Sequence, residues 1–215
     1  IGICCVAIGI VAALALDEAH HEPDAERRQA ALLRAELLTP IVKGWCTETA
    51  LQVTSTGIQV HGGMGYVEET GAAQFFRDVR ITSIYEGTTA IQANDLVGRK
   101  LGRDDGATLH ALVEALAMPL LEAQAEPDVV AAPGLLKDAT RDVLDQQDAS
   151  VMAAQAVAVP YLELCGVVLG GALMAHSAIV AQRALAGGAA DAGFYQSKLR
   201  SVRFYIDQVL PQALG

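Results

Sequence analysis

Ile84-Tyr85-Glu86-Gly87-Thr88-Thr89-Ala90-Ile91-Gln92 sets one carboxylate on a glycine-relaxed turn directly before a helix start. Thr88 or Thr89 can cap that helix, which is expected to run to Lys100, because a hydroxyl there satisfies an orphan N–H. A lone glutamate before a helix most often does no more than complement the macrodipole. The neighbours of Glu86 argue for more. Ile84 and Tyr85 are apolar, and Gly87 removes steric cover so that a ligand can approach the backbone. Desolvation raises a carboxylate's pKa, which suits a base that must take a weakly acidic C–H proton. The helix end pulls the other way and keeps the group ionised at rest, until a bound apolar group expels the water.

Upstream lies a second backbone-exposing element, Gln59-Val60-His61-Gly62-Gly63-Met64-Gly65-Tyr66. Glycine-rich turns that follow helices are mostly C-caps. The functional alternative is that bare N–H and C=O groups meet a flat or phosphorylated cofactor closely, with Gln59 adding a side-chain amide one helical turn earlier. Either element alone is a weak signal. The ordered string from Thr56 to Lys100, with Arg77-Asp78 between the two, is far more specific.

Helical periodicity runs through almost every other segment, and no alternating strand pattern persists. A first helix is expected over about residues 2–19, followed by a polar loop with Pro23 and an N-cap at Asp24. The next helix carries Leu32, Leu33, Leu37 and Leu38 on one face, and Pro40 is expected to kink or restart it. Its continuation, Ile41 to about Val60, stops at Gly62-Gly63. A short helix is expected over Thr70–Phe76, then an extended link from Arg77 to Ser83 leading into the Glu86 turn. The polar cluster Gly102-Arg103-Asp104-Asp105-Gly106 reads as a domain boundary, dividing the chain into residues 1–101 and 102–215. Beyond it, about 108–125, 135–147, 150–186 and 191–210 are expected to be helical, separated by Pro133-Gly134, Asp148 and Gly187-Gly188. The fold class is therefore all-α, one helical bundle followed by a second.

At 215 residues, rich in alanine, leucine, valine and glycine, the chain has ample apolar content for closely packed helices. A formal net charge of −10 argues against a nucleic-acid surface. The four cysteines, Cys4, Cys5, Cys46 and Cys165, form no C-x-x-C pair and read as free thiols of a reducing, cytoplasmic compartment. Two apolar runs, Ile1–Leu16 and Val157–Ala175, read as buried bundle helices rather than membrane spans: the first is short, and the second contains Pro160 and Glu163. His20-His21 with Asp17, Glu18 and Glu22 reads as a solvated helix end rather than a metal cluster, because adjacent helical residues diverge. Trp45 and Cys46 read as core, and His110 and His176 have no partner that sequence identifies.

The Thr56–Lys100 string resembles the C-terminal helical domain of the flavin-dependent acyl-CoA dehydrogenases. The run Asp95-Leu96-Val97-Gly98-Arg99-Lys100-Leu101, followed by further helices, is similar to the longer bacterial subgroup, which includes enzymes acting on 3-methylmercaptopropionyl-CoA and other acyl-CoAs. What the resemblance implies falls residue by residue. Glu86 matches the base that removes the α-proton of an acyl-CoA, and Gly87 the backbone contact to the thioester region. Thr88, Thr89 and Ala90 fall on the segment that touches FAD after the base. Ala90 departs from the Gln or Glu often found there, and so lacks the head for one cofactor hydrogen bond. Gln59, Val60, His61, Gly62 and Gly63 fall on the segment that reaches the FAD of a neighbouring subunit. The resemblance also implies a trans-2-enoyl-CoA product, electron-transferring flavoprotein as electron acceptor, and a homo-oligomer, dimer or tetramer.

The family's N-terminal helical domain and middle β-domain have no counterpart in this sequence. Three readings follow. The chain is the C-terminal part of a complete acyl-CoA dehydrogenase, which is the favoured one. Alternatively, it is a separate subunit that completes a site with a chain supplying the missing domains, or a non-catalytic helical interaction module that retains the motif.

Overall fold

The computed structural model describes residues 2–122 and 126–214, with nothing drawn from the side chains of residues 122 and 214. Among the described residues every regular element is helical. These are α1 (Gly2–His21), α2 (Ala25–Ile41), α3 (Thr47–Val60), α4 (Gly63–Tyr66), α5 (Ala72–Arg80) and α6 (Thr89–Asp95), then α7 (Ala107–Glu122), α8 (Pro127–Ala149), α9 (Val151–Ala186), α10 (Ala192–Phe204) and α11 (Pro211–Leu214). The expected continuation of α7 over 123–125 lies outside the described residues.

Local chemistry sets most boundaries. The Asp24 side chain accepts from the Arg27 N–H at 2.9 Å and opens α2. Ser150 starts α9, Asp191 starts α10, and Gly187 ends α9. Elsewhere the chain departs from expectation. Pro40 lies inside α2, and instead of a break the winding widens into a π-turn over Val42–Cys46 before α3 resumes. A π-turn absorbs one extra residue without ending the helix. Pro133-Gly134 does not separate helices either. Pro133 is buried within α8, whose start is set by Pro127 at its first turn. The link expected to be extended, Arg77 to Ser83, is helical: α5 continues to Arg80, and Ile81–Ser83 adds a 3₁₀ turn. Ala73, Phe76 and Val79 recur on its inward side while Arg77, Asp78 and Arg80 face solvent.

The core is organised around α9, which packs against α8, α10, α1, α6 and α7. One continuous cluster of buried side chains runs from Ile8, Leu38, Ile41 and Leu96 in the first half to Leu109, Leu136, Leu162 and Leu210 in the second. Close approach depends on small residues. Gly166 leaves the space on α9 that the Trp45 ring fills, and a Cβ there would stand well inside contact distance of the indole. Two polar side chains are also committed inside: the Thr140 hydroxyl lies 2.7 Å from that of Tyr161 and donates to the Leu136 carbonyl. The Tyr205 hydroxyl donates to the Val167 carbonyl at 2.9 Å.

Helices α1 and α9 are both long and apolar enough, by length and composition, to cross a membrane. For α9 the apolar character matches its central place, since 56% of its most apolar window is buried. For α1 the expectation of a buried helix is not met, because only 17% is. Cys4, Ile8 and Ala15 face the core, whereas Ile3, Val6, Ile10 and Leu14 form an exposed apolar stripe on the other side. A helix apolar all round needs a cover on both faces, and the described residues supply one.

Candidate functional site

Glu86 sits on a turn that the backbone itself marks as unusual. Its φ is 53°, in the left-handed region, and Gly87 follows at φ 101°. Left-handed geometry costs a non-glycine residue about 1–2 kcal/mol, so something must hold it there. Three side chains do. Gln92 donates its amide to the Glu86 carbonyl at 3.2 Å. Lys43, in the π-turn, donates to the Thr82 carbonyl and places its ammonium 4.5 Å from the centre of the Tyr85 ring. Glu48, at the start of α3, accepts from the Thr89 hydroxyl at 2.5 Å. The Glu86 side chain is exposed, as are Ile84 and Tyr85 beside it. A carboxylate thus stands on a braced turn at the surface, flanked by apolar side chains and a bare glycine.

Thr88 is the N-cap of α6 by backbone position, yet its side chain makes no capping bond. The Thr89 hydroxyl is engaged with Glu48, while Thr88 and Ala90 are exposed.

The second element is built at the other end of α3. His61 closes that helix, with ring Nδ1 2.8 Å from the Gly57 carbonyl, and Gly62 turns the chain at φ 61°. No atom would touch a Cβ placed on Gly62 or Gly63, so the backbone there is uncovered. Gly65 differs: a Cβ would collide with the Ile58 carbonyl, and its smallness serves internal packing. Gln59 and Val60 are exposed. Val60, Met64 and Tyr66, close by in the chain, are large exposed apolar side chains, as is Phe75 on α5. Beside them an open hollow of about 600 Å³ is lined by Ile58, Tyr66, Phe76 and Arg77.

The structure therefore gathers the sequence candidates into two groups rather than one. Glu86, Gly87, Thr88, Thr89 and Ala90 lie by the start of α3, tied there through Glu48. Gln59, Val60, His61, Gly62 and Gly63 lie at its end. At 1.5 Å per residue the 14 residues of α3 separate them by about 20 Å. A compact ligand cannot touch both. Lys43, Glu48 and Gln92 were not legible as site residues. A cleft of about 590 Å³ between α3 and the second half is lined by Trp45, Glu48, Gln52, Tyr161 and Leu164. His20-His21 gathers no metal-ligand set among the described residues.

Comparison with known proteins bears on both halves. Residues 5–101 match the family described as acyl-CoA dehydrogenase, C-terminal domain, and residues 107–215 that described as acetyl-CoA dehydrogenase C-terminal like. The 3-methylmercaptopropionyl-CoA dehydrogenase of Ruegeria pomeroyi is 43% identical over 208 residues, 91% of this chain and 34% of that protein. The broad-specificity linear acyl-CoA dehydrogenase FadE5 of Mycobacterium tuberculosis is 32% identical over 191 residues, 82% of this chain and 31% of its own length. Among solved structures, Caenorhabditis elegans ACDH-11 in complex with C11-CoA shares the fold with a TM-score of 0.72 at 20% identity, over 96% of this chain and 34% of that one. The chain spans about a third of the length of these relatives.

Proposed function

The chain belongs to the acyl-CoA dehydrogenase family, and from that premise we propose that it supplies the catalytic base for α,β-dehydrogenation of an acyl-CoA. The observation that carries this reading is Glu86 itself. A non-glycine residue is held at positive φ by bonds from three other side chains, with its carboxylate turned out to solvent. Backbone strain that is kept and braced is a mark of function.

In this reading the substrate's Cα–H bond breaks and its proton passes to the Glu86 carboxylate, while the Cβ–H bond breaks as a hydride and a C=C bond forms. Gly87 leaves the turn open to the thioester. Ile84 and Tyr85 give the acyl chain apolar surface, and its arrival desolvates the carboxylate and strengthens the base. FAD, when bound, supplies the hydride acceptor. Thr88, Thr89 and Ala90 would meet the FAD beside Glu86, and the uncovered backbone at Gly62 and Gly63, with Gln59, Val60 and His61 beside it, fits the FAD of a neighbouring subunit. The chain spans about a third of its relatives' length, and we assign the isoalloxazine platform to the part beyond it.

The exposed apolar side chains of Val60, Met64, Tyr66 and Phe75 and the bare stripe of α1 support a homo-oligomer, or docking of further domains. Electron-transferring flavoprotein is the proposed acceptor. A cytoplasmic setting is part of the same proposal. We divide the chain as residues 1–101, carrying the site, and 102–215, buttressing it.

The test is the visible spectrum of the flavin-loaded enzyme that contains this chain, before and after an acyl-CoA is added. Bleaching of the flavin band should be abolished by Glu86→Gln with flavin content unchanged. Bleaching at the normal rate in that variant would end the assignment.

A further inference from the structure

The Glu86 turn is gripped at both ends by one short stretch of another element. Lys43 holds its upstream side, through the Thr82 carbonyl and the Tyr85 ring, and Glu48 its downstream side, through the Thr89 hydroxyl. These two residues are five apart. In an α-helix, at about 100° per residue, that spacing points side chains about 140° apart. The π-turn at Val42–Cys46 changes this, because its i→i+5 winding brings residues five apart towards one face. The irregular turn thus sets the phase that lets both side chains reach the same segment.

We propose that Lys43 and Glu48 are positioning residues for the base: a two-point clamp that holds residues 82–89 so that Glu86 keeps its left-handed backbone. This deepens, and rests on, the reading of Glu86 as base. Glu48 acts through Thr89 rather than on substrate. The bond is charge-assisted, and such bonds are about twice as strong as neutral ones. It also fixes the start of α6, where the Thr88 side chain provides no cap. Lys43 adds a hydrogen bond and a cation over an aromatic face, a pairing that arginine could reproduce and methionine could not.

Two readouts test the clamp. The first is hydrogen–deuterium exchange of the 215-residue chain, followed on peptides covering residues 81–95, with α8 peptides as a control. Glu48→Ala and Thr89→Val should each speed exchange there by about tenfold. The double variant should be no faster than either single, since one bond is lost in all three. Glu48→Gln, which keeps an acceptor, and Lys43→Arg should retain most of the protection that Lys43→Met loses. Additive effects in the double variant would mean that Thr89 and Glu48 act separately, and would overturn the proposal, as would unchanged exchange.

The second readout is flavin bleaching by saturating acyl-CoA in the flavin-loaded enzyme. Glu48→Ala should slow it by about tenfold with half-saturation unchanged, and Glu48→Gln should restore it. Loosened exchange with an unchanged bleaching rate would make the clamp structural only and overturn a positioning role. Normal bleaching in Glu86→Gln would remove the base assignment while leaving the exchange result standing, so the two failures are distinguishable.

Discussion

Trp45 occupies the space that a side chain at residue 166 would need, so the π-turn that carries Lys43 is seated directly on the backbone of α9. Gly166→Ala forces the indole or the helix to move. Overpacking of this kind costs about 1–3 kcal/mol, and thermal unfolding of the variant should report a loss of that order. Exchange at residues 81–95 should rise with it, because displacing the π-turn disturbs the support of the Glu86 turn.

Gly87→Ala is expected to damage the site more than the fold. At φ 101° an alanine is strained, and its Cβ would stand 2.9 Å from the Gln92 amide nitrogen that holds the Glu86 carbonyl. Acyl-CoA-driven flavin bleaching in the loaded enzyme should fall by at least tenfold. The melting temperature should drop only by the amount that about 1–2 kcal/mol of backbone strain allows.

The Thr140–Tyr161 pair should show the asymmetry of buried hydrogen bonds. Thr140→Val leaves the Tyr161 hydroxyl without its 2.7 Å partner, at a cost of about 1–3 kcal/mol. Adding Tyr161→Phe removes the orphan, and the double variant should melt closer to wild type than Thr140→Val alone. A double variant that loses the sum of both single effects would count against the pair as drawn.

Glu36 links the halves of the chain to pH. The Arg103 guanidinium, and then the Lys100 ammonium, hold its carboxyl below the usual carboxylate range. A depressed folded-state pKa adds stability that is present above the unfolded value, about 4.3, and is lost as pH falls through the folded one. Glu36→Gln should therefore lower stability at pH 7, and the gap should close on acidification. The side chain is a third exposed, so solvent screens it and the effect should stay within about 1 kcal/mol, shrinking with salt. Melting curves at several pH values check the sign.

How far sequence reached depended on whether the deciding physics was local. Asp24 as a cap, Gly62 as a helix stop and Gly187-Gly188 as a boundary were legible, because capping and left-handed turns need only near neighbours. The continuity of α8 through Pro133 was not, since a proline that burial holds in place looks the same in sequence as one that ends a helix. The Arg77–Ser83 link was misread because its charges obscure the short inward row of Ala73, Phe76 and Val79. At the site, Glu86 and the glycine element stood out as ordered motifs. Lys43 and Glu48 could not, because their shared direction comes from a π-turn that no residue type announces.

The single core bears on the order in which the protein can be made. The Glu86 turn is translated before its supports are complete: Trp45 has nothing to pack against until the glycine-bearing face of α9 has followed. Domains form as units once their parts are available. Residues 1–101 therefore emerge with the apolar faces that α9 covers still open, and the Glu86 turn gains its support only once α9 has followed.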